Sequence, residues 1–377
     1  MELIKFYNDH NVSTFEDVRD LLATHNIKVK DEGDLYLVYY KREAGNTLNP
    51  LQLASNGVIF QKETNKLVCN SYYKFLKENG DLNVSFKSNF GNLVFENCFE
   101  GTLIRMFHHN GQWRISTKKC IDANESKWQS DKSFYELFQE AMGNSIYTGY
   151  EYKTDCVYFF LLQHPENSVV FEQDNPSVRL LDVFRIVDNV VQIVPVNDGR
   201  TNRVEMRSYD ELVGYMNGQT METMKYQGLV VYNRDNPFVK QRMYFNLYNE
   251  AYNLYGNTSS RFVRFLELRK SAEDVKKYVT FFPRHKAMFL DYEKNFIDFA
   301  DKVHALYLSC KVFKNDVIIK KNFRRFIYDL HGNYLKTRVP LSLVDVINHL
   351  MKLDRSLVEF LYNDYNSNGL SEKTDQL

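Results

Sequence analysis

A chain of 377 residues in which 48 Lys+Arg balance 48 Asp+Glu has room for about two domains and carries no overall field to draw it to a polyanion. It is 44% hydrophobic and 15% aromatic, enough for packed cores, and its five cysteines, odd in number and without a CxxC pair, speak against a disulfide framework and a cysteine zinc site. The thiols fit a reducing, cytoplasmic setting. Met1-Glu2-Leu3-Ile4-Lys5 offers no signal-peptide core, and no run of about 18 apolar residues could span a bilayer, so no membrane contact is expected.

The first 30 or so residues predict helix, with Phe15, Val18 and Leu22 on one face. From Leu35 to Phe245 the pattern turns to strands. Leu35–Tyr40, Gly57–Phe60 and Lys66–Cys69 come first. Thr102–Phe107 and Trp113–Lys118 flank Asn110-Gly111, a hairpin signal because both turn positions favour positive φ. The pair His108-His109 reads as exposed turn histidines. Val157–Leu162 is continuously apolar, as in a strand buried on both faces, and Val169–Phe171, Leu180–Ile186, Gly228–Tyr232 and Phe238–Phe245 extend the series.

After about residue 250 the period becomes helical: Phe296, Phe299, Ala300, Val303, Leu306, Tyr307 and Cys310 recur at three and four residues, and Pro340 precedes a second helix from Leu343 to Met351. The tail from Asn366 is polar and is expected to fray. The expected organisation is therefore an α+β domain over 1–250 and an all-α domain over 251–377. The second holds 21 Lys+Arg against 15 Asp+Glu, so the first carries the balancing acidic excess. Residues 311–338 concentrate eight basic residues, among them Lys320, Lys321, Arg324 and Arg325, against Asp316 and Asp329, with Phe323, Tyr328 and Tyr334 between them. Such a stretch is a candidate nucleic-acid patch, or a helix with an aromatic core face and a solvated basic face.

No GxxxxGK, GxGxxG, HExxH or GxSxG signature is present. An ordered series is: Ser55-Asn56-Gly57-Val58-Ile59-Phe60, Tyr72-Tyr73-Lys74-Phe75, Cys98-Phe99-Glu100-Gly101-Thr102, Ser116-Thr117-Lys118, His164-Pro165-Glu166-Asn167, Tyr226-Gln227-Gly228-Leu229 and Val239-Lys240-Gln241-Arg242. This series resembles the ATP-dependent RNA ligases of the phage T4 RNA ligase 1 type, in the covalent nucleotidyltransferase superfamily, over about residues 35–250. The resemblance implies ATP-grasp-like antiparallel sheets. It also implies a lysine that attacks ATP to form lysyl-AMP, with metal-binding carboxylates and phosphate-holding cations around it.

Carried over by position, the match splits. The nucleophile of K-x-D-G falls on Cys98, with Glu100 following; the arginine of R-G falls on Asn56; one glutamate falls on Leu161 and the glutamate of E-G on Gln227. Glu151, in Gly149-Tyr150-Glu151-Tyr152, imitates the first of these glutamates, but the Pro165-Glu166-Asn167 anchor selects Leu161. Lys74, Phe75, Lys118 and Lys240 are retained and Arg242 replaces a second lysine, which makes these five the candidate nucleotide- and phosphate-binding residues. A cysteine is too short to reach the same α-phosphate, leucine binds no cation, and glutamine lacks the charge a hard metal ion wants. The expectation is a catalytically inactive ligase-like protein that uses no cofactor and no metal and binds RNA, a nucleotide or a protein partner. Two alternatives are an active ligase taking ATP and Mg²⁺ through Lys118 or Lys119, and a structural or transcription-assembly component, virion-associated in a virus.

Overall fold

The computed structural model describes residues 2–12, 14–40, 48–72, 84–143, 145–196, 202–256 and 260–370. Helices α1 (Glu2–Asp9) and α2 (Phe15–Thr24) lead into strands β1 (Ile27–Glu32) and β2 (Leu35–Tyr40). Then follow α3 (Pro50–Ala54), β3 (Asn56–Gln61), β4 (Leu67–Cys69), α4 (Val84–Lys87), β5 (Leu93–Cys98), β6 (Thr102–His109), β7 (Gln112–Ser116) and α5 (Phe134–Gly143). The first unit continues with β8 (Cys156–Gln163), β9 (Ser177–Val187), β10 (Val190–Val194), β11 (Arg203–Val204), α6 (Tyr209–Asn217), β12 (Gly228–Asn233) and β13 (Asn236–Tyr244), and α7 (Asn246–Tyr255) runs across the boundary between the units. The chain divides into two compact units, Met1–Glu250 and Ala251–Leu377.

The first unit is α+β, with three sheets among the described residues, ordered β1-β2-β3-β4, β10-β9-β8-β6-β7 and β11-β5-β12-β13. Every strand pairing in them is antiparallel. The central strand β8 explains the stacking. Its Val157 and Phe159 pack with Leu35, Leu37 and Ile59 of the first sheet. Its Tyr158, Phe160 and Leu162 pack with Phe134, Leu137 and Phe138 of α5 on the other face. The alternation along one strand thus makes the four layers: α1 and α2, sheet, sheet, and α5. The third sheet packs separately, on Leu212 and Met216 of α6 and on Tyr248.

Several expectations shift. Helix stops at Thr24, and Ile27–Glu32 is a strand whose mostly charged sequence conceals it, because only Ile27 is buried. Asn110 and Gly111 do make the hairpin turn, with φ of 49° and 76°. His108 and His109, however, belong to β6, and His109 is buried with Nε2 2.7 Å from the Asp34 carboxylate. Val169–Phe171 forms no strand. The amides of Val170 and Phe171 donate to the Glu100 carboxylate at 2.7–3.1 Å, which takes them out of any ladder.

Between the first two sheets lies a charge with no acid beside it. Arg105 of β6 is 1% exposed, and its guanidinium donates to the backbone carbonyls of Gly57, Asn70 and Thr117, the last at 2.7 Å. Among the described residues no carboxylate pairs with it; burial pulls its pKa down, yet a guanidinium keeps its proton. Gly57 itself has φ of 95°, and a Cβ there would run into the backbone of Lys118.

The second unit is all-α: α8 (Arg261–Leu268), α9 (Ala272–Phe281), α10 (Lys286–Tyr307), a π turn over Leu308–Val312, α11 (Lys321–Thr337), α12 (Leu343–Leu350) and α13 (Arg355–Asn368). The polar tail stays helical to Asn368, beyond the expected fraying point at Asn366. Its core includes Phe299, Val303, Phe323, Ile327, Val346 and Val358.

Replacing Arg105 by alanine strands three buried carbonyls and opens a cavity. Arg105→Ala is expected to destabilise the first unit by about 3 kcal/mol or more, read from urea or thermal unfolding. A loss under about 1 kcal/mol would show that water replaces the clamp.

Candidate functional site

A cleft of about 570 Å³ opens between the sheet of β8 and β9 and the sheet of β5, β12 and β13. Cys98 ends β5 directly opposite Gly228, the first residue of β12, and the Gln227 amide donates to the Cys98 carbonyl at 2.7 Å. Gly228, at φ 150°, is needed there, because a Cβ would fall on the Met243 carbonyl of β13. The two strands on either side of β12 thus bring Cys98, Lys240 and Arg242 to one wall, and Leu161 of β8 faces them.

The Cys98 thiol is 3% exposed and lies 3.5 Å from the Gln227 Oε1. The Gln227 amide nitrogen in turn donates to the Tyr248 hydroxyl at 2.8 Å. Burial pushes the Cys98 thiol up, against the opposing pull of the Arg242 guanidinium. A neutral amide is no base, so nothing in this pair generates a thiolate.

The cleft also holds acids that the motif reading missed. Asp182 of β9 accepts from Lys240 Nζ at 2.8 Å and from the Tyr72 hydroxyl. Glu96 of β5 accepts from the Tyr232 hydroxyl at 2.6 Å. Lys240, buried, lies 4.5 Å from the Tyr72 ring centre and 5.1 Å from that of Tyr232. Its ammonium is thus held by one carboxylate and two aromatic faces. Burial, with Asp182 and Glu96 adding to it, raises the Tyr72 hydroxyl pKa well above its ordinary value. Asp182 had a signal in the sequence: it is a lone acid inside the apolar run Leu180-Leu181-Asp182-Val183. Among the described residues Arg203 and Arg234 add to the charged lining, four cations against two carboxylates.

The remaining sequence candidates fall elsewhere. Asn56 is buried and donates to the Tyr72 carbonyl at 3.0 Å, so it holds a cleft residue rather than facing the cleft. The Glu100 carboxylate is buried on the amides of Val170 and Phe171. Neither Lys118, Lys119 nor the exposed Glu151 is among the described residues lining the cleft. Lys74 and Phe75 lie outside the described residues. In the second unit, Lys321, Arg324 and Arg325 are exposed on α11, and the Lys320 ammonium donates to the Asn368 carbonyl.

One further group could hold a cation. Ligand atoms of Glu140, His164 and Glu166 lie within 4.8 Å of one another. His164 Nδ1 accepts the Glu166 amide at 3.2 Å, so its Nε2, 3.1 Å from Glu140, carries the proton and has no lone pair to give. The Lys132 ammonium already bridges the two carboxylates at 2.8 and 2.9 Å.

No family model matches the chain. It is similar to two curated viral proteins. One is an immediate-early protein ICP-46 homolog of Invertebrate iridescent virus 3, 24% identical over 234 residues, covering 58% of this chain and 51% of the relative. The other is the homolog of the same description in Invertebrate iridescent virus 6, 23% identical over 325 residues, covering 78% of this chain and 66% of the relative. The chain therefore spans about half the length of the first and 66% of the second. Among solved structures it is similar to a putative ATP-dependent DNA ligase from Aquifex aeolicus, with TM-score 0.39 and 11% identity over 74% of this chain and 72% of that one. It is also similar to an archaeal ATP-dependent RNA ligase, with TM-score 0.42 and 12% identity over 94% and 96%. Among the described residues no helix is long and apolar enough to cross a membrane.

Thiol chemistry tests the Cys98 environment. In the native protein, Cys120 and Cys310, both partly exposed, are expected to react with a disulfide reagent at pH 8 at least about tenfold faster than Cys98, with the difference abolished in denaturant. Peptide mapping that finds Cys98 labelled first would contradict the buried, protonated thiol.

Proposed function

We infer that this chain is a ligase-like protein that has lost adenylyl transfer and keeps its cleft as a noncovalent site for a nucleotide or a similar phosphorylated ligand. The observation that carries this reading is the Cys98–Gln227 pair. It stands where a ligase of the resembled type places its lysine and an acid, and it consists of a protonated thiol and a neutral amide. Lys240 is the lysine among the described residues lining the cleft, and its ammonium is committed to Asp182. Leu161 adds an apolar side chain where a second acid would hold ribose or metal.

Binding needs less than catalysis does. A cleft of about 570 Å³ has the size of a small-molecule site. Arg203, Arg234, Lys240 and Arg242 outnumber Glu96 and Asp182, which favours an anion. Tyr72, Phe99 and Tyr232 offer aromatic surface beside those cations. No metal or cofactor is assigned, because the hydroxyls of Tyr72 and Tyr232 already bond the two cleft carboxylates. The description of the two relatives as homologs of a viral immediate-early protein supports an intracellular viral role for this chain as well.

Incubation with α-labelled ATP and Mg²⁺ or Mn²⁺ is expected to leave no acid-stable label on the protein. Stoichiometric label would overturn the loss of adenylyl transfer. Titration with ATP by calorimetry is expected to show reversible binding that Arg242→Ala weakens roughly 10- to 100-fold, the value of a charge-assisted hydrogen bond. Equal affinity in wild type and variant would remove the cleft as the phosphate site.

A further inference from the structure

Helix α11 divides its residues by chemistry. Phe323, Phe326, Ile327 and Leu330 are buried in the core of the second unit. Lys321, Arg324, Arg325, Tyr328, Leu335 and Lys336 are exposed on the remaining surface. The π turn before it carries Lys311, whose ammonium lies 4.1 Å from the Tyr328 ring centre, and is followed by Phe313, 66% exposed. Tyr328 is 61% exposed, so Lys311 leaves much of its ring open.

Acids are scarce beside these cations. Across residues 311–338 eight basic residues face two acids. Among the described residues none of Lys311, Lys314, Lys321, Arg325 and Lys336 forms an ion pair, whereas Lys277 and Lys302 elsewhere in the second unit pair at i,i+4 spacing. The helix dipole also opposes the cations of its first turns, which carry no acid. The exposed Phe313 and Tyr328 beside the cations leave aromatic surface in water.

We propose that the outer surface of α11 together with the preceding π turn binds single-stranded nucleic acid. Lys321, Arg325, Lys336 and Lys311 contact phosphates along a stripe about 22 Å long, from 15 residues at 1.5 Å rise. Tyr328 and Phe313 stack on unpaired bases, and a cation beside the Tyr328 ring strengthens that contact. An acidic peptide would satisfy the cations and leave both aromatics unused, and a duplex would hide the bases from them. Lys320 is outside this surface, its ammonium being spent on the Asn368 carbonyl. The cleft of the first unit takes no part.

Fluorescence anisotropy of the full chain with a labelled oligouridine of about 12 nucleotides, over a range of salt, tests this. The expected result is binding that weakens steeply with salt. Lys321→Ala/Arg325→Ala should lower the slope of log K against log salt by about 1.4, two phosphates at about 0.7 each. Tyr328→Ala should weaken binding about tenfold with the slope unchanged. All three substitutions are at exposed helix positions, and circular dichroism checks that α11 persists. Lys240→Ala in the cleft should leave the slope as in wild type. An unchanged slope in the double variant, equal affinity for a duplex, or competition by polyglutamate as strong as by RNA at equal charge would each overturn the proposal. A slope lost in Lys240→Ala would place the RNA in the cleft and overturn it too.

Discussion

The Arg105 guanidinium is the constraint from which the rest of the first unit follows. It reaches from β6 to carbonyls on β3, on the turn after β4 and on the turn after β7. Three carbonyl dipoles stand in for the missing carboxylate, so the charge stays solvated only while all three segments hold position. Next to one of them, Asn56 bonds the Tyr72 carbonyl, and Tyr72 in turn donates its hydroxyl to Asp182. Asp182 fixes Lys240. A run of hydrogen bonds therefore links a buried clamp between two sheets to the principal cation of the cleft.

That linkage explains what the cleft can and cannot do. Holding Lys240 between two tyrosine rings and a carboxylate makes it a fixed positive charge, good for orienting an anion and poor as a free nucleophile. The Cys98 thiol and the Gln227 side-chain amide meet each other, a pair that offers neither an amine nor an acid. The Gln227 amide also ties Tyr248 to the strand pair. In the second unit the side of α11 turned away from the core is basic and aromatic.

Much of this was legible where one residue type answers one local demand. The continuous apolar run of β8 announced a strand with two buried faces, and Asn110-Gly111 announced the turn between β6 and β7. The ordered motifs brought Cys98, Leu161, Lys240 and Arg242 to one cleft, although they lie up to 144 positions apart in the chain. What stayed hidden depends on partners distant in sequence. Nothing local marks Arg105 as a clamp, since its acceptors are backbone carbonyls that every residue has. Glu100 resembles a motif acid, yet its surroundings turn it into a cap for the Val170 and Phe171 amides, which also removes the strand expected there. Asn56 reads as a lost guanidinium, and only the fold shows that it orders Tyr72. The β1 strand was missed because an edge strand needs few apolar residues.

The proposed loss of adenylyl transfer is tested most directly by pyrophosphate–ATP exchange, which reports reversible attack on the α-phosphate even when the covalent product is too short-lived to isolate. With Mg²⁺ and labelled pyrophosphate, the account predicts incorporation into ATP no faster than in the absence of protein. Exchange that rises with protein concentration and disappears in Lys240→Ala would contradict it, and would make the lysine described here as a fixed charge the nucleophile of an active enzyme.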